Sequence, residues 1–151
     1  MNITKLDHSE PLEADRICRT LLTSYAVEAR LIGVTDFAPL RRTATEIRDA
    51  RSVFYGCSHE NRLAAVTEIE LDGEDPPNIA SFAVHPRFFR RGIGSELLQH
   101  IVALLGSGRI TVSTALRNAP AISLYEKHGF RNTRRWTTPD GIDMVTMEFS
   151  A

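Results

Sequence analysis

The chain has 151 residues, of which 42% are hydrophobic and 25% charged, and its formal net charge at pH 7 is −1. This length suits one domain over residues 1–151, and a nearly neutral charge gives no general attraction to nucleic acid or to a membrane surface. The sequence has neither the run of about 18 apolar residues that a membrane helix needs nor the start of a secretory signal, so we expect a cytoplasmic protein without a membrane partner.

The first 51 residues predict one short strand followed by two helices. The strand covers residues 3–6, and Pro11 after Glu10 is typical of a helix start. Over residues 12–31 the apolar positions recur every three or four residues, which indicates an amphipathic helix. A second helix is predicted over residues 39–51, where apolar residues again share one face.

From residue 52 onwards the pattern changes to that of strands. Residues 52–57 and 63–71 predict a β-hairpin around the polar turn 58–61. Residues 72–77 are a break rich in Asp, Gly and Pro. Residues 78–84 predict another strand, and their small and apolar side chains indicate burial in a sheet.

The second half of the chain predicts two helices and three further strands. Apolar residues form a stripe along the helix 94–105, and the glycines on either side of Ser107 end it. The elements that follow are a strand at 109–115, a short helix at 119–128, and a terminal hairpin of 130–137 and 144–149. The element order β-α-α-β-β-β-α-β-α-β-β predicts an α/β fold with a mixed sheet.

The segment between the strand 78–84 and the helix 94–105 has the composition of an anion-binding loop. It reads His85-Pro86-Arg87-Phe88-Phe89-Arg90-Arg91-Gly92-Ile93-Gly94-Ser95. The first turn of a helix carries unpaired N–H groups and about half a positive charge, and glycines let the backbone approach an anion closely. Arg90 and Arg91 add cationic groups that suit phosphate oxygens. We therefore expect a pyrophosphate on this loop, although a plain turn beside two solvated arginines would give the same pattern.

A second segment, after the strand 109–115, points to a known family. It reads Asn118-Ala119-Pro120-Ala121-Ile122-Ser123-Leu124-Tyr125-Glu126-Lys127-His128-Gly129-Phe130. It meets in full the pattern Asn-x-x-Ala-x-x-Leu-Tyr-x-x-x-Gly-Phe, and with it the sequence resembles the GNAT superfamily of N-acetyltransferases. The earlier loop is similar to that family's pyrophosphate loop, Arg/Gln-x-x-Gly-x-Gly/Ala after Val-x-Pro. Because the first position of that loop is Phe89 here, the resemblance supports backbone rather than side-chain contacts at this point.

The resemblance implies a mixed central sheet flanked by helices, in which the fourth and fifth strands splay apart with the help of a bulge near residues 81–83. It also implies acetyl-CoA as co-substrate, with the pantetheine arm hydrogen-bonded in the opening like an added strand. Asn118 caps its helix, touches the co-substrate, or does both. The residues expected to bind acetyl-CoA are Phe82, Ala83, Val84, Arg90, Arg91, Gly92, Ile93, Gly94, Ser95 and Asn118.

By the same resemblance Tyr125 is the general acid that gives a proton to the CoA thiolate, since a phenol with a pKa of about 10 is protonated at neutral pH. The backbone N–H of Val84 would polarise the acetyl carbonyl. Residues 78–82 lack the carboxylate that family members often place on this strand. Glu68 and Glu70 remain open as bases acting through water, although such residues are more often solvated or structural carboxylates. We therefore expect no single protein base with a sharp role.

The acceptor is the part of the reaction that the sequence specifies least. The leading prediction is a primary amine of a small molecule or peptide, while acetylation of a protein or of aminoacyl-tRNA and a non-catalytic CoA-binding module are alternatives, and a homodimer is left open. The two cysteines and five histidines are scattered, so the sequence predicts no metal site. The residues that suit a substrate pocket by their type are Tyr25, Arg41, Arg42, Trp136 and Asp143.

Overall fold

The structure is a computed structural model that describes residues 2–106 and 108–151. Within them the strands are β1 (Asn2–Leu6), β2 (Val53–His59), β3 (Arg62–Glu70), β4 (Asn78–Val84), β5 (Arg109–Ala115), β6 (Arg131–Thr137) and β7 (Asp143–Ser150). The α-helices are α1 (Pro11–Ile32), α2 (Ala44–Asp49), α3 (Ile93–Leu105) and α4 (Ala119–Lys127). The strands form one sheet in the order β1-β2-β3-β4-β5-β7-β6, so the predicted α/β class and mixed sheet are confirmed. Ser107, part of the predicted helix stop, lies outside the described residues.

The sheet opens between β4 and β5. These two strands run parallel and pair only through Asn78 with Thr111 and through Ile79 with Val112. Beyond these two pairs β4 remains bonded to β3, and β5 remains bonded to β7 along its whole length. The splay predicted for the fourth and fifth strands is therefore confirmed.

A bulge in β4 lies where the two strands separate. Glu68 of β3 pairs with Ser81 and the next residue, Ile69, pairs with Ile79, which leaves Ala80 as an extra residue in β4. The bulge was predicted over residues 81–83 and lies slightly earlier. Because an extra residue bends its strand and increases the local twist, Ala80 directs the rest of β4 away from β5.

The helices cover the two faces of the sheet. One buried cluster joins the inner side of α1, including Ile17 and Leu21, to Phe54, Val66 and Ala83 of the sheet. A second cluster packs α3 and α4 against the other face, because neighbouring strand residues point to opposite sides. None of the helices in the described part of the chain combines the length and apolarity needed to cross a membrane.

The second predicted helix is interrupted, so the prediction over residues 39–51 was wrong. A 3-10 turn at Ala38–Arg41 is followed by the six-residue helix α2. Thr43 starts a new helix there, since its hydroxyl accepts the Glu46 N–H at 3.2 Å and the Glu46 carboxylate accepts the Thr43 N–H at 3.0 Å. Arg42 consequently has an extended backbone and lies outside both helical segments.

Arg42 forms a buried ion pair with Glu68 of β3. The guanidinium donates to both carboxylate oxygens at 2.6 and 2.9 Å, and the Glu68 side chain is 6% exposed. Ser52 and Ser81 also donate to this carboxylate. Burial alone would raise the pKa of Glu68, but the hydrogen bonds from Arg42, Ser52 and Ser81 outweigh it and hold the pKa below its usual range. Glu68 is therefore an ionised structural carboxylate that joins the segment before α2 to β3 and β4.

Arg42→Met is expected to lower the free energy of unfolding at pH 7 by about 3 kcal/mol, because it leaves a buried carboxylate without its cation. Since the folded-state pKa of Glu68 is depressed, its stabilising effect is present above the unfolded-state pKa and is lost as the pH falls through the folded-state value. Urea unfolding of wild type and variant should therefore converge in acid. Arg41→Met is the matched control, because Arg41 pairs with Asp36 on the surface. An equal, small loss in both variants would contradict the structural role of Arg42.

Candidate active site

A cavity of about 320 Å³ occupies the opening between β4 and β5. We call it the β4–β5 cavity. Its walls come from both strands, from Phe37 and the start of the 3-10 turn at Ala38–Arg41, and from the turn between β6 and β7. The helices add the side chains of Tyr25, Glu28, Asn118, Ala121 and Tyr125. The lining therefore comes partly from α1 and from the turn between β6 and β7, whereas α2 does not contribute to it.

Of the five pocket residues proposed by type, Tyr25 lines the cavity and the other four are engaged elsewhere. Arg41 pairs with Asp36, and Arg42 pairs with Glu68. The Trp136 indole donates to the Thr146 hydroxyl at 2.9 Å, and Asp143 accepts from the Thr137 hydroxyl at 3.0 Å. Residue type alone did not reveal that these side chains satisfy local partners.

Tyr125 lies on α4 and lines the β4–β5 cavity with only 4% of its surface exposed. Its ring packs edge-on against Phe82 at a centroid distance of 6.0 Å and lies tilted against Phe130 at 5.6 Å. Burial raises the pKa of Tyr125 far above its usual value, and the nearby Tyr25 and Glu28 add to this effect. Its hydroxyl is therefore protonated throughout the physiological pH range.

Asn118 connects α4 to α1. Its side-chain oxygen accepts the Ala121 N–H at 3.2 Å, which caps α4, and its side-chain nitrogen donates to the Glu28 carboxylate at 3.0 Å. The preceding residue, Arg117, donates to the Ile32 carbonyl at 3.1 Å. The predicted capping role is thus present, and two hydrogen bonds fix the C-terminal half of α1 beside the start of α4. A contact of Asn118 with the co-substrate stays a prediction.

Glu28 is the cavity residue that the sequence reasoning missed. It lies on the face of α1 that also carries Tyr25, and burial raises its pKa, with the Asn118 hydrogen bond opposing the rise. The signal was available, because Glu28 continues the spacing of Leu21 and Tyr25 along the buried face. Glu68 and Glu70, which were considered instead, do not line the cavity. Glu68 is engaged by Arg42, and Glu70 accepts from Asn78 at 2.8 Å.

The open edge of β4 presents backbone donors to the cavity side. The N–H of His85 bonds to the Ala64 carbonyl of β3 at 2.8 Å. Alternate residues of an antiparallel strand bond to the same neighbour, so the N–H groups of Phe82 and Val84 point the other way. Beyond Ile79, β5 does not pair with this edge. The two donors are therefore available to an extended ligand.

The loop before α3 has an unusual backbone. Arg90 and Gly92 both have left-handed conformations, with φ of 64° and 75°, and α3 starts at Gly92 without a side-chain cap. A Cβ on Gly92 would meet no atom within 4 Å, so the space in front of the helix is open. A Cβ on Gly94 would lie 3.2 Å from the Val84 side chain, which explains the second glycine. Successive N–H groups in such a loop form a nest for an anion.

The arginines of this loop differ in their surroundings. The Arg91 guanidinium lies over the Phe88 ring, 5.3 Å from its centroid, and 3.7 Å from the Glu60 carboxylate. Arg90 is exposed, and Phe89 at the atypical motif position is 42% exposed. Ser95, in the first turn of α3, is hydrogen-bonded to the His128 ring at 2.6 Å. Binding of an anion at this loop stays a prediction, and the backbone geometry supports it more than these side chains do.

Residues 16–130 match the model of the Acetyltransferase (GNAT) family. This protein belongs to the GNAT family. It is 30% identical over 138 residues to the UPF0157 protein YqkA of Bacillus subtilis, covering 91% of this chain and 40% of YqkA. It is 42% identical over 76 residues to the [ribosomal protein bS18]-alanine N-acetyltransferase of Salmonella typhimurium, covering 47% of this chain and 49% of that protein. The chain thus spans less than half the length of either relative.

Solved structures show the same fold. The ribosomal-protein-S18-alanine N-acetyltransferase of Escherichia coli superposes with a TM-score of 0.75 at 22% identity, over 99% of this chain and 94% of the other. The PaiA N-acetyltransferase of Thermoplasma acidophilum, solved in complex with coenzyme A, gives a TM-score of 0.74 at 15% identity over the full length of both chains. The GNAT fold predicted from the two motifs is confirmed.

Both cavity tyrosines are expected to stay neutral well above the usual tyrosine range, since burial raises the pKa of Tyr25 to about 12 and that of Tyr125 further. Up to about pH 11, the tyrosinate absorbance of the wild type should therefore match that of the Tyr25→Phe/Tyr125→Phe double variant. A spectrophotometric pH titration of both proteins measures this. An absorbance step near the usual tyrosine pKa that is present in the wild type and missing from the double variant would contradict this prediction. It would mean that Tyr25 or Tyr125 is more exposed to solvent than the structure indicates.

Proposed function

We propose that this GNAT protein is a cytoplasmic N-acetyltransferase that moves an acetyl group from acetyl-CoA directly to a primary amine of a small molecule or peptide. The observation that carries the proposal is the position of Tyr125. A buried, protonated phenol lines the same cavity as the open edge of β4, and that strand leads directly into the loop with free helix N–H groups. The hydroxyl of Tyr125 could protonate the leaving thiolate, the edge of β4 could bind the pantetheine arm, and the loop before α3 could bind the phosphates. These three sites follow one another in space in the order of the groups of acetyl-CoA.

The residues present fit acetyl-CoA. When bound, this co-substrate supplies an acetyl group activated as a thioester. The N–H groups of Phe82 and Val84 suit the pantetheine amides, as in strand addition, and the N–H groups from Arg91 to Ser95 suit the pyrophosphate. The relative solved with coenzyme A supports this assignment through its fold. The exposed Arg90 and the half-exposed Arg91 border the phosphate site.

Tyr125 is the proposed general acid. The thiolate that leaves during acetyl transfer needs a proton, and the buried phenol of Tyr125 holds one at every physiological pH. The Val84 N–H, on the open edge of β4, is the proposed donor to the acetyl oxygen. Because a donor is needed where negative charge develops, both groups act mainly in the transition state.

A peptide amino terminus is the acceptor favoured by the named relatives, since the Salmonella protein is an alanine N-acetyltransferase of ribosomal protein bS18. Aminoacyl-tRNA is the weaker alternative. Its best support is the exposed edge strand β6, which carries Arg131, Arg134 and Arg135. A phosphate-dominated interaction of that kind would make activity fall steeply with salt.

Gly92→Val is expected to weaken CoA binding on the order of tenfold or more, because its side chain enters the open space in front of α3 and strains a left-handed backbone. Gly73→Val is the matched control. Gly73 is also left-handed, with φ 57°, and a Cβ on it would likewise meet no atom within 4 Å, but it lies in the loop before β4. Calorimetry should show CoA binding retained in the control and weakened in Gly92→Val. Unchanged binding in both would contradict the proposed phosphate site.

Tyr125→Phe is expected to lower kcat about 100-fold or more while changing KM less, because the hydroxyl acts in the transition state. Tyr55→Phe removes a hydroxyl from β2, away from the cavity, and should leave kcat unchanged. Single-turnover measurement of thiol release separates chemistry from product release. A Tyr125→Phe protein with normal single-turnover rate and normal CoA binding would leave Tyr125 with a packing role alone.

A further inference from the structure

The β4–β5 cavity is acidic. Among the described residues that line it, the charged ones are Glu28 and Asp140, and both are acids. Asp140 is exposed on the β6–β7 turn, where a hydrogen bond from the Thr138 hydroxyl at 2.6 Å lowers its pKa. Glu28 lies deeper, beside Tyr25 and Tyr125. An amine that enters the cavity as a cation therefore meets negative charge at the mouth and again inside it.

Glu28 is a partly buried carboxylate, and it differs from the buried Glu68 in its partners. Glu68 has a guanidinium and two hydroxyls as donors, whereas the protein donor to Glu28 is the neutral amide of Asn118. The ion pairs formed by residues 2–106 and 108–151 do not include Glu28. A partly buried carboxylate that lacks a cation is unfavourable to the fold, so Glu28 on the wall of this cavity is suited to bind a cationic ligand.

The position of Glu28 is fixed from two sides. Asn118 holds one carboxylate oxygen, and the same amide caps α4, the helix that carries Tyr125. Arg117 bonds to the carbonyl of Ile32 at the end of α1. Arg117 and Asn118, in the connection between β5 and α4, therefore hold Glu28 of α1 and Tyr125 of α4 in the same cavity.

We propose that Glu28 binds the ammonium group of the acceptor and removes its proton, with Asn118 as the residue that positions it. The inference rests on the proposed acetyltransferase function and names its acceptor as a primary amine that arrives as a cation. It replaces the expectation that the protein has no single base.

With Glu28 and Tyr125 as the two proton-transfer groups, the protons and electron pairs of the reaction balance. The ammonium gives one proton to Glu28, and the nitrogen lone pair then forms the C–N bond while the C–S bond of the thioester breaks. Tyr125 gives its hydroxyl proton to the sulfur, and the newly acylated nitrogen returns its surplus proton to the tyrosinate. Products are an amide, a thiol and a protonated Glu28, which releases its proton to solvent.

The contribution of Glu28 depends on the basicity of the amine. An alkylamine with a pKa of about 10.4 is neutral in roughly one molecule in 2,500 at pH 7, whereas an α-amine with a pKa near 8 is neutral in about one in ten. A carboxylate whose pKa is raised by burial is also a stronger proton acceptor than an ordinary one. Loss of Glu28 should therefore affect an alkylamine more than a peptide amino terminus.

The fall of kcat/KM towards low pH should follow the protonation of Glu28. The titratable groups that face it across the cavity are Tyr25 of α1, Tyr125 of α4 and Asp140 of the turn. Both tyrosines ionise far above neutrality, and the pKa of Asp140 is lowered. Only Glu28 in this group has a carboxyl pKa shifted upward.

The decisive variant is Glu28→Gln, which keeps an acceptor for Asn118 and removes the charge. With n-butylamine and an alanine-initiated peptide as probes, kcat/KM at pH 7 should fall about 100-fold or more for butylamine and less for the peptide. The loss should diminish as pH rises and free amine accumulates. Asp15→Asn, an exposed acid on the same helix, is the control and should match the wild type.

Asn118→Ser tests the positioning role of Asn118. It keeps a helix cap but removes the donor to Glu28, so it should lower kcat/KM and shift the pH at which kcat/KM falls on the acid side.

A stability measurement provides a readout that does not depend on activity. Because the folded-state pKa of Glu28 is raised, its ionisation destabilises the fold as the pH rises through that value. Glu28→Gln should therefore raise Tm at pH 7, and the difference should vanish below the ordinary carboxyl pKa. A lower Tm at pH 7 would instead identify Glu28 as a structural residue and overturn the inference.

The two proposals fail in different ways. A wild-type protein that binds no CoA and acetylates neither probe removes the acetyltransferase function. A wild-type protein that acetylates a probe while Glu28→Gln keeps kcat/KM within about threefold at pH 7 removes only the role of Glu28. If CoA binds but neither probe is acetylated, a lower Tm of Glu28→Gln at pH 7 still overturns the role of Glu28.

Discussion

The separation of β4 from β5 is the constraint on which the site depends. A parallel pair that stops after two residue pairs leaves backbone donors and acceptors of both strands to be satisfied in other ways. β5 is supported along its length by β7, and β4 by β3. The Ala80 bulge turns β4. On the side of β3, the hydrogen bond from Ser81 to Glu68 connects β4 to the ion pair of Glu68 with Arg42. Because β4 is hydrogen-bonded to β3 and β5 to β7, the two strands stay apart, and the cavity occupies the gap between them.

Glu68 and Glu28 show how different surroundings give the same chemical group different properties. Glu68 receives a bidentate guanidinium and two hydroxyl donors, so its charge is neutralised within the protein and its pKa is low. Glu28 receives one neutral amide, and its pKa is high. The first arrangement stabilises the fold at neutral pH, while the second leaves charge unbalanced at a cavity wall. This difference was invisible in the sequence, where both residues are glutamates beside apolar neighbours.

Local patterns predicted most of the elements, and long-range contacts account for what they missed. Strands and the apolar helix α3 follow directly from periodicity, and Pro11, Asn118 and the glycines mark helix ends. The second helix was misread because the apolar spacing of Leu40, Ala44 and Ile47 outweighed the Thr43-x-x-Glu46 capping box, which is also local. The splay was accessible only through the family resemblance. Arg42 with Glu68, and Asn118 with Glu28, pair across 26 and 90 positions, beyond the reach of periodicity.

The bond between Asn118 and Glu28 also bears on when the site comes into being. It joins residues 90 positions apart, so it is present only when α1 is docked beside the start of α4. Without that docking, a chain that has formed the loop before α3 and the helix α4 would have no carboxylate in the cavity. Conversely, transient detachment of α1 from a folded sheet would remove the carboxylate and open the cavity wall together. The proposed acid and the proposed base thus lie on helices far apart in the sequence, and they line one cavity only when α1 is docked.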